Sequence, residues 1–488
     1  MPRRRCRRGR GPDRHSGGLP ADRTAGRPDQ FTSATAIRSG TAGRFRAPEL
    51  STLLLKPAGG LESFLREQQD PSSANYHRWL TPEQFADRFG LGNNDIAKLT
   101  SWLRSEGLTV HDVARGRAWI TFSGSAGDIS RAFRTEIHRY GVDGKDHYAN
   151  TTLPSIPAAF AGVVGGIRGL DDFGLTPLYM KARAKPNFNS GGYHFLVPDD
   201  IATIYDIAPL YSAGIDGTGQ KVVVVGETDV DITDIQTFRK HYNLPPNDPQ
   251  LGGYGPDPGT NDSLIEADLD LEWIGAVARN ATVIYVNSQS VYLSALYAVD
   301  QNLAPVITFS YGGCEYDQIQ AFRPVAQQAS AQGITWMVAS GDAGAATCDV
   351  FAETPQAAKG PSVSFPASFP EVTAVGGTEF NEGSGNYWSG SNSANGGSAL
   401  SWIPEMAWND SAERNELAAS GGGASALFPK PVWQTAPGVP NDFARDLPDV
   451  SFASSPITTA TKSIPAGNGR LSAERRWPAR FSREWSRC

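Results

Sequence analysis

Apolar and polar positions between residues 60 and 170 alternate over short distances, as in a chain of short helices and strands. Thr81, Pro82 and Gln84 predict a helix start, because Thr and Gln three residues apart form a capping box and Pro fits the first helical turn. A second helix is predicted from Asn94 or Asp95 through "DIAKLTSWLRSEG", stopped by Gly107. Two strands ("LTVHDVA", "AWITFSG"), a helix ("AGDISRAFRTE") and a strand near "IHRYGVD" follow. The pattern predicts a small α+β domain.

The pattern changes beyond residue 198, where continuous apolar runs replace the short alternation. These runs are "KVVVVGETD", "ATVIYV", "PVITFSYG" and "GITWMVASGDAG", and helical stretches separate them. Runs of this kind are typical of strands buried on both faces of a parallel sheet, with right-handed helical crossovers. We therefore predict an α/β fold with a mostly parallel sheet and helices on both faces.

Composition divides the chain into five segments. Residues 1–46 are rich in Arg, Gly, Pro and Ser without periodicity, which predicts a disordered leader. The small α+β domain is predicted over 47–173, a linker with Pro, Gly and basic residues over 174–198, and the parallel-sheet domain over 199–456. Residues 457–488 form a basic tail whose pattern differs from the rest.

Charge is distributed unevenly along the chain. Residues 1–46 hold 12 Arg and three Asp, whereas residues 47–456 hold 25 basic and 46 acidic residues. A body this acidic argues against nucleic acid, which binds to basic patches. No run of about 18 apolar residues is present, so we expect no membrane span. No apolar segment follows the basic residues at the start of the chain, so no signal peptide is predicted.

Four carboxylates lie within eight positions of the helical stretch "SLIEADLDLEW". Glu266 and Asp270 are four residues apart and share a helix face, where like charges cost a few tenths of a kcal/mol. A structural interpretation exists for Glu266, since Ser263 and Glu266 have the spacing of a capping box. Asp270 lies one turn deeper, among apolar residues, and has no such explanation.

Further polar residues follow two of the predicted parallel strands, at the sheet edge where ligands collect. Ser310, Tyr311 and Gly312 follow one strand and Asp342 follows another, although Asp342 also suits an ordinary Gly-flanked turn. Cys314 and Cys348 are the two cysteines of the chain body. From their spacing alone, a disulfide and two free thiols both remain open.

The order of the motifs resembles the sedolisin (serine-carboxyl peptidase) family, in particular its pro-kumamolisin-like members. "QQDPSSANYHRWLTPEQF" is similar to the family's activation prodomain signature. "EADLDLEW", "SYGGCE", "ASGDAGAATCD", "FPASFPEVTAVGGT", "SGGGAS", "PVWQ" and "LPDVSFAS" follow in the family's order. The resemblance covers the chain from about residue 60 to residue 456.

The resemblance implies a subtilisin-like fold in which a glutamate replaces the histidine base, preceded by a small ferredoxin-like α+β prodomain. Glu266 would be the general base, Asp270 would share a proton with it, and Asp342 would donate a hydrogen bond to the oxyanion. Such carboxyl chemistry suits acid. None of the seven histidines is followed by Gly-Thr, which argues against a Ser-His-Asp triad.

The resemblance also implies binding contacts and partners. Ser310, Tyr311 and Gly312 would bind the backbone of a peptide or protein substrate as an added strand. Cys314 and Cys348 would form a disulfide that pins two site loops. The domain at 47–173 would inhibit the enzyme intramolecularly until the linker at 174–198 is processed. The family further implies an extracellular, monomeric protein.

The chain departs from the family pattern after "LPDVSFASSP". The family's nucleophile lies in a Gly-Thr-Ser segment ahead of a calcium site, and Gly-Thr-Ser occurs nowhere in this sequence. We therefore expect no metal or other cofactor in this chain, and a proenzyme that is inactive as written. We interpret both unusual ends as out-of-frame or truncated. A non-catalytic peptide-binding or inhibitory pseudo-peptidase is the alternative, and an intracellular pseudo-enzyme is a third.

Overall fold

The computed structural model describes two domains of the chain. The described residues are 37–41, 50–142, 145–177, 195–317, 320–349, 354–455 and 460–461. Most of the predicted leader, most of the predicted linker and nearly all of the basic tail therefore lie outside the described residues.

The N-terminal domain contains seven of the described strands and four helices. The strands are β1 (Ile37–Thr41), β2 (Ser51–Leu55), β3 (Thr109–Val113), β4 (Trp119–Ser123), β5 (Ile137–Val142), β6 (Lys145–Asn150) and β7 (Val164–Arg168). The helices are α1 (Leu61–Gln69), α2 (Pro82–Phe89), α3 (Asn93–Ser105) and α4 (Ala126–Phe133).

An antiparallel sheet in the order β3-β4-β2-β7 forms the centre of this domain. Numbered within the sheet, the strands run 2-3-1-4 with helices between the first and second and between the third and fourth, which is the ferredoxin-like arrangement. Every residue of β2 is buried, and Leu53 packs with Leu99 of α3 and Phe133 of α4. The predicted ferredoxin-like α+β fold is confirmed by this topology.

Local signals placed the helix start of α2 correctly. The Thr81 side chain accepts a hydrogen bond from the Gln84 N–H, and the Gln84 side chain accepts one from the Thr81 N–H. Both hydrogen bonds join residues three apart, so the local sequence alone contains the donors and acceptors that form this helix start.

The predicted leader contains a strand, which differs from the prediction of disorder over 1–46. β1 pairs antiparallel with β5, which pairs with β6 in a three-stranded sheet. The physical reason is that the β5–β6 hairpin leaves an open edge whose N–H and C=O groups order a short added strand. Composition around "IRSGT" contains no sign of this distant partner.

The second domain contains the remaining described strands and helices. The strands are β8 (Thr176–Pro177), β9 (Phe195–Leu196), β10 (Lys221–Gly226), β11 (Gln250–Gly253), β12 (Thr282–Asn287), β13 (Val306–Phe309), β14 (Tyr311–Cys314), β15 (Thr335–Ala339), β16 (Ser364–Phe365), β17 (Thr373–Phe380), β18 (Glu405–Ala407), β19 (Gly423–Pro429), β20 (Ala444–Leu447), β21 (Val450–Ala453) and β22 (Ala460–Thr461). The helices are α5 (Pro198–Ile204), α6 (Ala208–Ser212), α7 (Ile232–His241), α8 (Leu264–Val277), α9 (Val291–Asp300), α10 (Arg323–Ala331) and α11 (Ser411–Arg414).

An eight-stranded sheet organises this domain in the order β11-β12-β10-β13-β15-β17-β18, and β21 also pairs with β17. All of its pairs are parallel except that of β17 with β18. Val224 packs with residues of α7 and α8, whereas Val223 and Val225 pack with residues of α9 and α10. Because neighbouring strand residues point to opposite faces, helices cover both faces of the sheet. The predicted α/β architecture is confirmed.

The N-terminal domain packs against α9 and α10 of the second domain. The Asp300 carboxylate, at the end of α9, accepts hydrogen bonds from the backbone N–H groups of Arg115 (2.9 Å) and Gly116 (2.8 Å). At a second point, the Leu80 N–H donates to the carbonyl of Ala331. Buried polar anchors therefore join the two domains at separate places.

Candidate active site

Three neighbouring strands end beside one another at one edge of the parallel sheet. β13 pairs with β10 on one side and with β15 on the other. Glu227 follows β10, Ser310 follows β13 and Asp342 follows the end of β15. The sheet therefore places these three residues in a row at the edge where parallel α/β folds bind their ligands.

Helix α8 brings the acid pair to this edge. Glu266 is 0% exposed and Asp270 is 6% exposed, so both carboxyl groups are buried. Asp268 and Glu272, the other two acids of the helix, are also buried. The four carboxylates of the stretch are therefore part of the protein interior.

The capping interpretation of Glu266 is wrong. Ser263 is the N-cap residue of α8, but its side chain makes no capping hydrogen bond. Its hydroxyl donates instead to a carboxylate oxygen of Glu227, at 3.2 Å. The hydrogen bond from Ser263 to the distant Glu227 replaces the local capping bond, so Glu266 takes no part in a capping box.

Asp270 is fixed by a short hydrogen bond from the neighbouring strand end. The Ser310 hydroxyl donates to Asp270 Oδ2 at 2.5 Å, and Ser310 is fully buried. A donor aimed at one carboxylate oxygen fixes the side chain and stabilises its charge. Among the three residues for which substrate binding was predicted, Ser310 thus directs its side chain to the acid pair.

Tyr311 is the buried first residue of β14, directly after Ser310. Its hydroxyl is buried, and burial raises the pKa of Tyr311 well above its usual value, with the charges of Glu227, Glu266 and Asp270 adding to the effect. The tyrosine therefore stays neutral.

Glu227 is a site residue that the sequence interpretation missed. Its carboxylate accepts hydrogen bonds from the Ser263 hydroxyl and from the Val291 N–H at the start of α9, 3.3 Å away. Loss of solvent around the carboxyl raises the pKa of Glu227 to about 7, although both hydrogen bonds lower it. The available signal was its position directly after an apolar strand, the same rule that singled out Asp342.

Asp342 lies in a turn that a second segment braces. It is 6% exposed, and its carbonyl accepts a hydrogen bond from the Ala419 N–H. The Ser340 hydroxyl donates to the carbonyl of Gly421 at 2.7 Å. A Cβ atom on Gly421 would lie 2.0 Å from the Ser340 carbonyl oxygen, so this approach requires glycine. The turn interpretation and the site interpretation of Asp342 are therefore compatible.

Strand β14 forms a short antiparallel sheet beside the acids. Gly313 and Cys314 pair with β16, and on the other side Tyr311 pairs with Pro177 and Gly312 with Thr176. The segment that leaves the N-terminal domain thus lies on β14 as an added strand. Gly174, just before it, lies close to Glu227, since a Cβ atom there would be 3.7 Å from a Glu227 carboxylate oxygen.

Cys314 and Cys348 form a disulfide, as the family resemblance implies, and their Cα atoms are 4.4 Å apart. It joins the end of β14 to the loop that follows Asp342 in the chain. The strand on which the added segment lies and the loop of the third acid are therefore covalently linked.

The part of the chain that the structure describes shows neither a metal-binding cluster nor a membrane-spanning helix. No group of three or more His, Cys, Asp or Glu side chains there is arranged to hold a metal ion. No helix there is long and apolar enough to cross a membrane.

Comparison with known proteins defines the class to which this fold and site belong. Residues 52–173 match the family described as "Pro-kumamolisin, activation domain". Sedolisin of Pseudomonas sp. (strain 101) is 30% identical over 427 residues, which cover 82% of this chain and 69% of sedolisin. The class is therefore that of serine-type peptidases made as proenzymes.

The chain belongs to the sedolisin family. Kumamolisin of Bacillus sp. (strain MN-32) is 26% identical, with 83% of this chain and 74% of that protein covered. Xanthomonalisin of Xanthomonas sp. (strain T-22) is 28% identical, and the chain spans 52% of its length. The chain is thus shorter than each of these relatives' full sequences.

Among solved structures, Pseudomonas sedolisin complexed with two molecules of pseudo-iodotyrostatin superposes with a TM-score of 0.44 at 28% identity. The superposition covers 56% of this chain and 73% of that one.

Proposed function

We propose that this chain carries the catalytic carboxyl groups of a serine-type endopeptidase that works at acidic pH. Its N-terminal domain keeps the chain in the proenzyme state. Glu266 is the general base, Asp270 shares its proton, and Asp342 donates a hydrogen bond to the oxyanion. The observation that carries the proposal is the buried Glu266–Asp270 pair, with Ser310 donating to Asp270 at the carboxyl edge of the sheet.

The chemistry follows from burying two carboxyl groups one helical turn apart. Both cannot ionise easily in a site that excludes water, so the pair holds one proton between its two members. The ionised member removes a proton from an attacking hydroxyl, and the proton is later returned to the leaving amine. A neutral Asp342 can donate a hydrogen bond to the oxyanion, which a charged one cannot. Acid therefore supplies both required protonation states.

In the family, the attacking hydroxyl belongs to the serine of a Gly-Thr-Ser segment. This sequence contains no such segment. Because Gly-Thr-Ser is absent from these 488 residues, we propose that they bind peptides without turning them over. Ser310 is not assigned as the nucleophile, since its hydroxyl proton is directed at Asp270 inside the protein.

Inhibition by the N-terminal domain is proposed from the pairing of β8 with β14. Thr176 and Pro177 occupy the strand edge on which a substrate backbone would lie, and Gly174 lies near Glu227. A peptide bound there would add a strand in the same way, with main-chain hydrogen bonds giving affinity. The same edge favours the alternative function, a non-catalytic peptide-binding or inhibitory protein.

A graft of the family's nucleophile segment tests the proposal. The sedolisin residues that follow the Pro-Asp-Val-Ser motif replace everything after Ser451 of this chain, and cleavage of a quenched peptide library is measured between about pH 3 and pH 7. We expect cleavage in acid from the graft and none from the unmodified chain. Glu266→Gln in the graft should lower kcat/KM by about 100-fold or more, since it removes the base without changing the size of the side chain.

The controls separate the two functions. Glu413→Gln on the surface should leave the graft's activity unchanged. A folded graft that shows no acid cleavage, or cleavage that Glu266→Gln does not reduce, would refute the assignment of the base. Cleavage by the unmodified chain would refute the proposed lack of turnover. Peptide binding without cleavage by every variant would support the non-catalytic alternative.

An extracellular location and a monomeric state are further proposals. The Cys314–Cys348 disulfide supports an oxidising compartment, because such bonds persist there and are rare in the cytosol. Non-reducing electrophoresis after thiol blocking of the native protein and light scattering check the two statements.

A further inference from the structure

Helix α8 carries a second acid pair that the proposed reaction does not use. Successive residues of a helix are rotated by about 100°, so Asp268 lies about 200° from Glu266 and on the other side of the helix. Glu272, four residues on, shares this second face. Asp268 and Glu272 are therefore buried on the side of α8 that points away from the proposed active site.

Asp268 lies in the contact between α8 and α7. It is 7% exposed, and its Oδ1 atom has no hydrogen-bond partner among the described residues. The charged and titratable groups on this side, from the elements packed against α8, are Asp231 just before α7, Asp234 in its first turn, Arg239 further along it, Tyr242 at its end, Tyr285 on β12 and Asp200 on α5. The charges that act on Asp268 itself are those of acids, because the Arg239 guanidinium is directed at backbone carbonyls, including that of Gly275 seven residues further along α8.

The neighbours of Asp268 make a second negative charge costly. Asp231 caps α7 by accepting a hydrogen bond from the Thr233 N–H at 2.9 Å. This bond lowers the pKa of Asp231, so Asp231 stays charged. Asp234 is 5% exposed and has one oxygen without a hydrogen-bond partner among the described residues. The Tyr285 hydroxyl donates to the carbonyl of Thr228 and is not available to Asp268.

We propose that Asp268 is a positioning residue whose neutral form holds α8 against α7, and that its ionisation loosens this contact and displaces the helix that carries Glu266 and Asp270. Because the two pairs alternate along one rigid helix, a movement on one face moves the other. The inference concerns the stability of the fold and does not depend on whether the chain cleaves peptides.

The direction of the pH effect follows from the burial of Asp268. Burial, with the charges of Asp234 and Asp231, raises its pKa to about 8. The folded chain therefore holds this proton between about pH 4 and about pH 8, where the unfolded chain has released it. Stability from this group is full in acid and is lost as the pH rises through that window.

The test compares the full 488-residue chain with Asp268→Asn, which keeps the shape of the neutral acid and cannot ionise. Thermal melting is followed by circular dichroism at about pH 4, 6 and 8. We expect equal melting temperatures in acid, and a difference in favour of the variant that grows to about 5 °C or more at the highest pH. A difference that does not change with pH would overturn the proposal.

Further measurements keep the result specific. Asp206→Asn, an exposed acid-to-amide change at a left-handed position that Asn tolerates, should show no pH-dependent difference. Amide exchange corrected for intrinsic rates should show α8 losing protection in the wild type at high pH and keeping it in Asp268→Asn. Equal protection in both chains contradicts the proposal. Millimolar calcium that restores the wild type at high pH would also overturn it, since the acids would then hold a cation instead of a proton.

Discussion

The carboxylate of Asp300 offers a quantitative prediction about how the N-terminal domain is held. It accepts two backbone hydrogen bonds, from Arg115 and Gly116, and is nearly inaccessible to solvent. Hydrogen bonds to a charged group contribute about 1.5–3 kcal/mol each, so Asp300→Ala should weaken docking by about 4 kcal/mol, roughly a thousandfold. The variant would also leave the buried N–H of Gly116 and the partly buried N–H of Arg115 without this acceptor.

An exposed ion pair of the same arginine provides the matched control. Arg115 and Glu83 are about half exposed and 2.7 Å apart, and such pairs contribute about 0.5 kcal/mol. Because both residues belong to the N-terminal domain, the pair does not cross the interface, and Glu83→Gln should change docking by no more than about twofold. Asp300→Asn, which keeps one acceptor oxygen, should fall between the two variants.

The assay is amide hydrogen exchange of the full chain at about pH 7. The Leu80 N–H is a suitable reporter, because it donates across the same interface to Ala331 at a distance from the altered side chain. We expect its protection to fall by roughly a thousandfold in Asp300→Ala. If Asp300→Ala changes Leu80 no more than Glu83→Gln does, buried acceptors do not dominate this interface and the estimate is wrong.

Three further predictions concern the site. The double variant Cys314→Ser, Cys348→Ser removes a disulfide between residues 34 positions apart and should lower the free energy of unfolding by roughly 4 kcal/mol. Urea denaturation measures this loss, and the single variant Cys6→Ser is the control. Gly421→Ala brings a Cβ atom against the Ser340 carbonyl and should cost about 3 kcal/mol or more in thermal melting, whereas Gly259→Ala in open space should cost about 1 kcal/mol. Glu227→Gln should stabilise the chain increasingly as the pH rises from about 4.5 to about 7, because the raised pKa makes its ionisation unfavourable; a pH-independent difference in melting temperature would contradict this.

Local and periodic signals were sufficient for much of the fold. Thr81 and Gln84 satisfy each other within one helical turn, so their sequence spacing already predicts the helix start. The strand around Val224 is apolar throughout because helices cover both faces of the sheet, and this composition predicts a parallel arrangement. In both cases a short stretch of chain contains the physical cause.

The features that sequence reasoning missed depend on distant partners. Ser263 has the spacing of a helix cap, but its hydroxyl donates to Glu227, 36 residues away. The short strand β1 is ordered by the edge of a hairpin about a hundred residues later in the chain. The spacing of Glu266 and Asp270 predicted a shared face, whereas the donor to Asp270 came from Ser310 on another element. Chain patterning therefore predicted which acids are unusual, and tertiary contacts decided what holds them.

The pairing of β8 with β14 has a consequence for how β8 is displaced from the edge of β14. A two-residue strand that includes Pro177 offers a single main-chain N–H group, so it competes poorly with any longer peptide for the same edge. Its occupancy must come from tethering, which gives the attached segment a high effective concentration near β14. Undocking of the N-terminal domain at Asp300 would lower that concentration at once, and the segment would be exchanged for free peptide without any change in β14 itself.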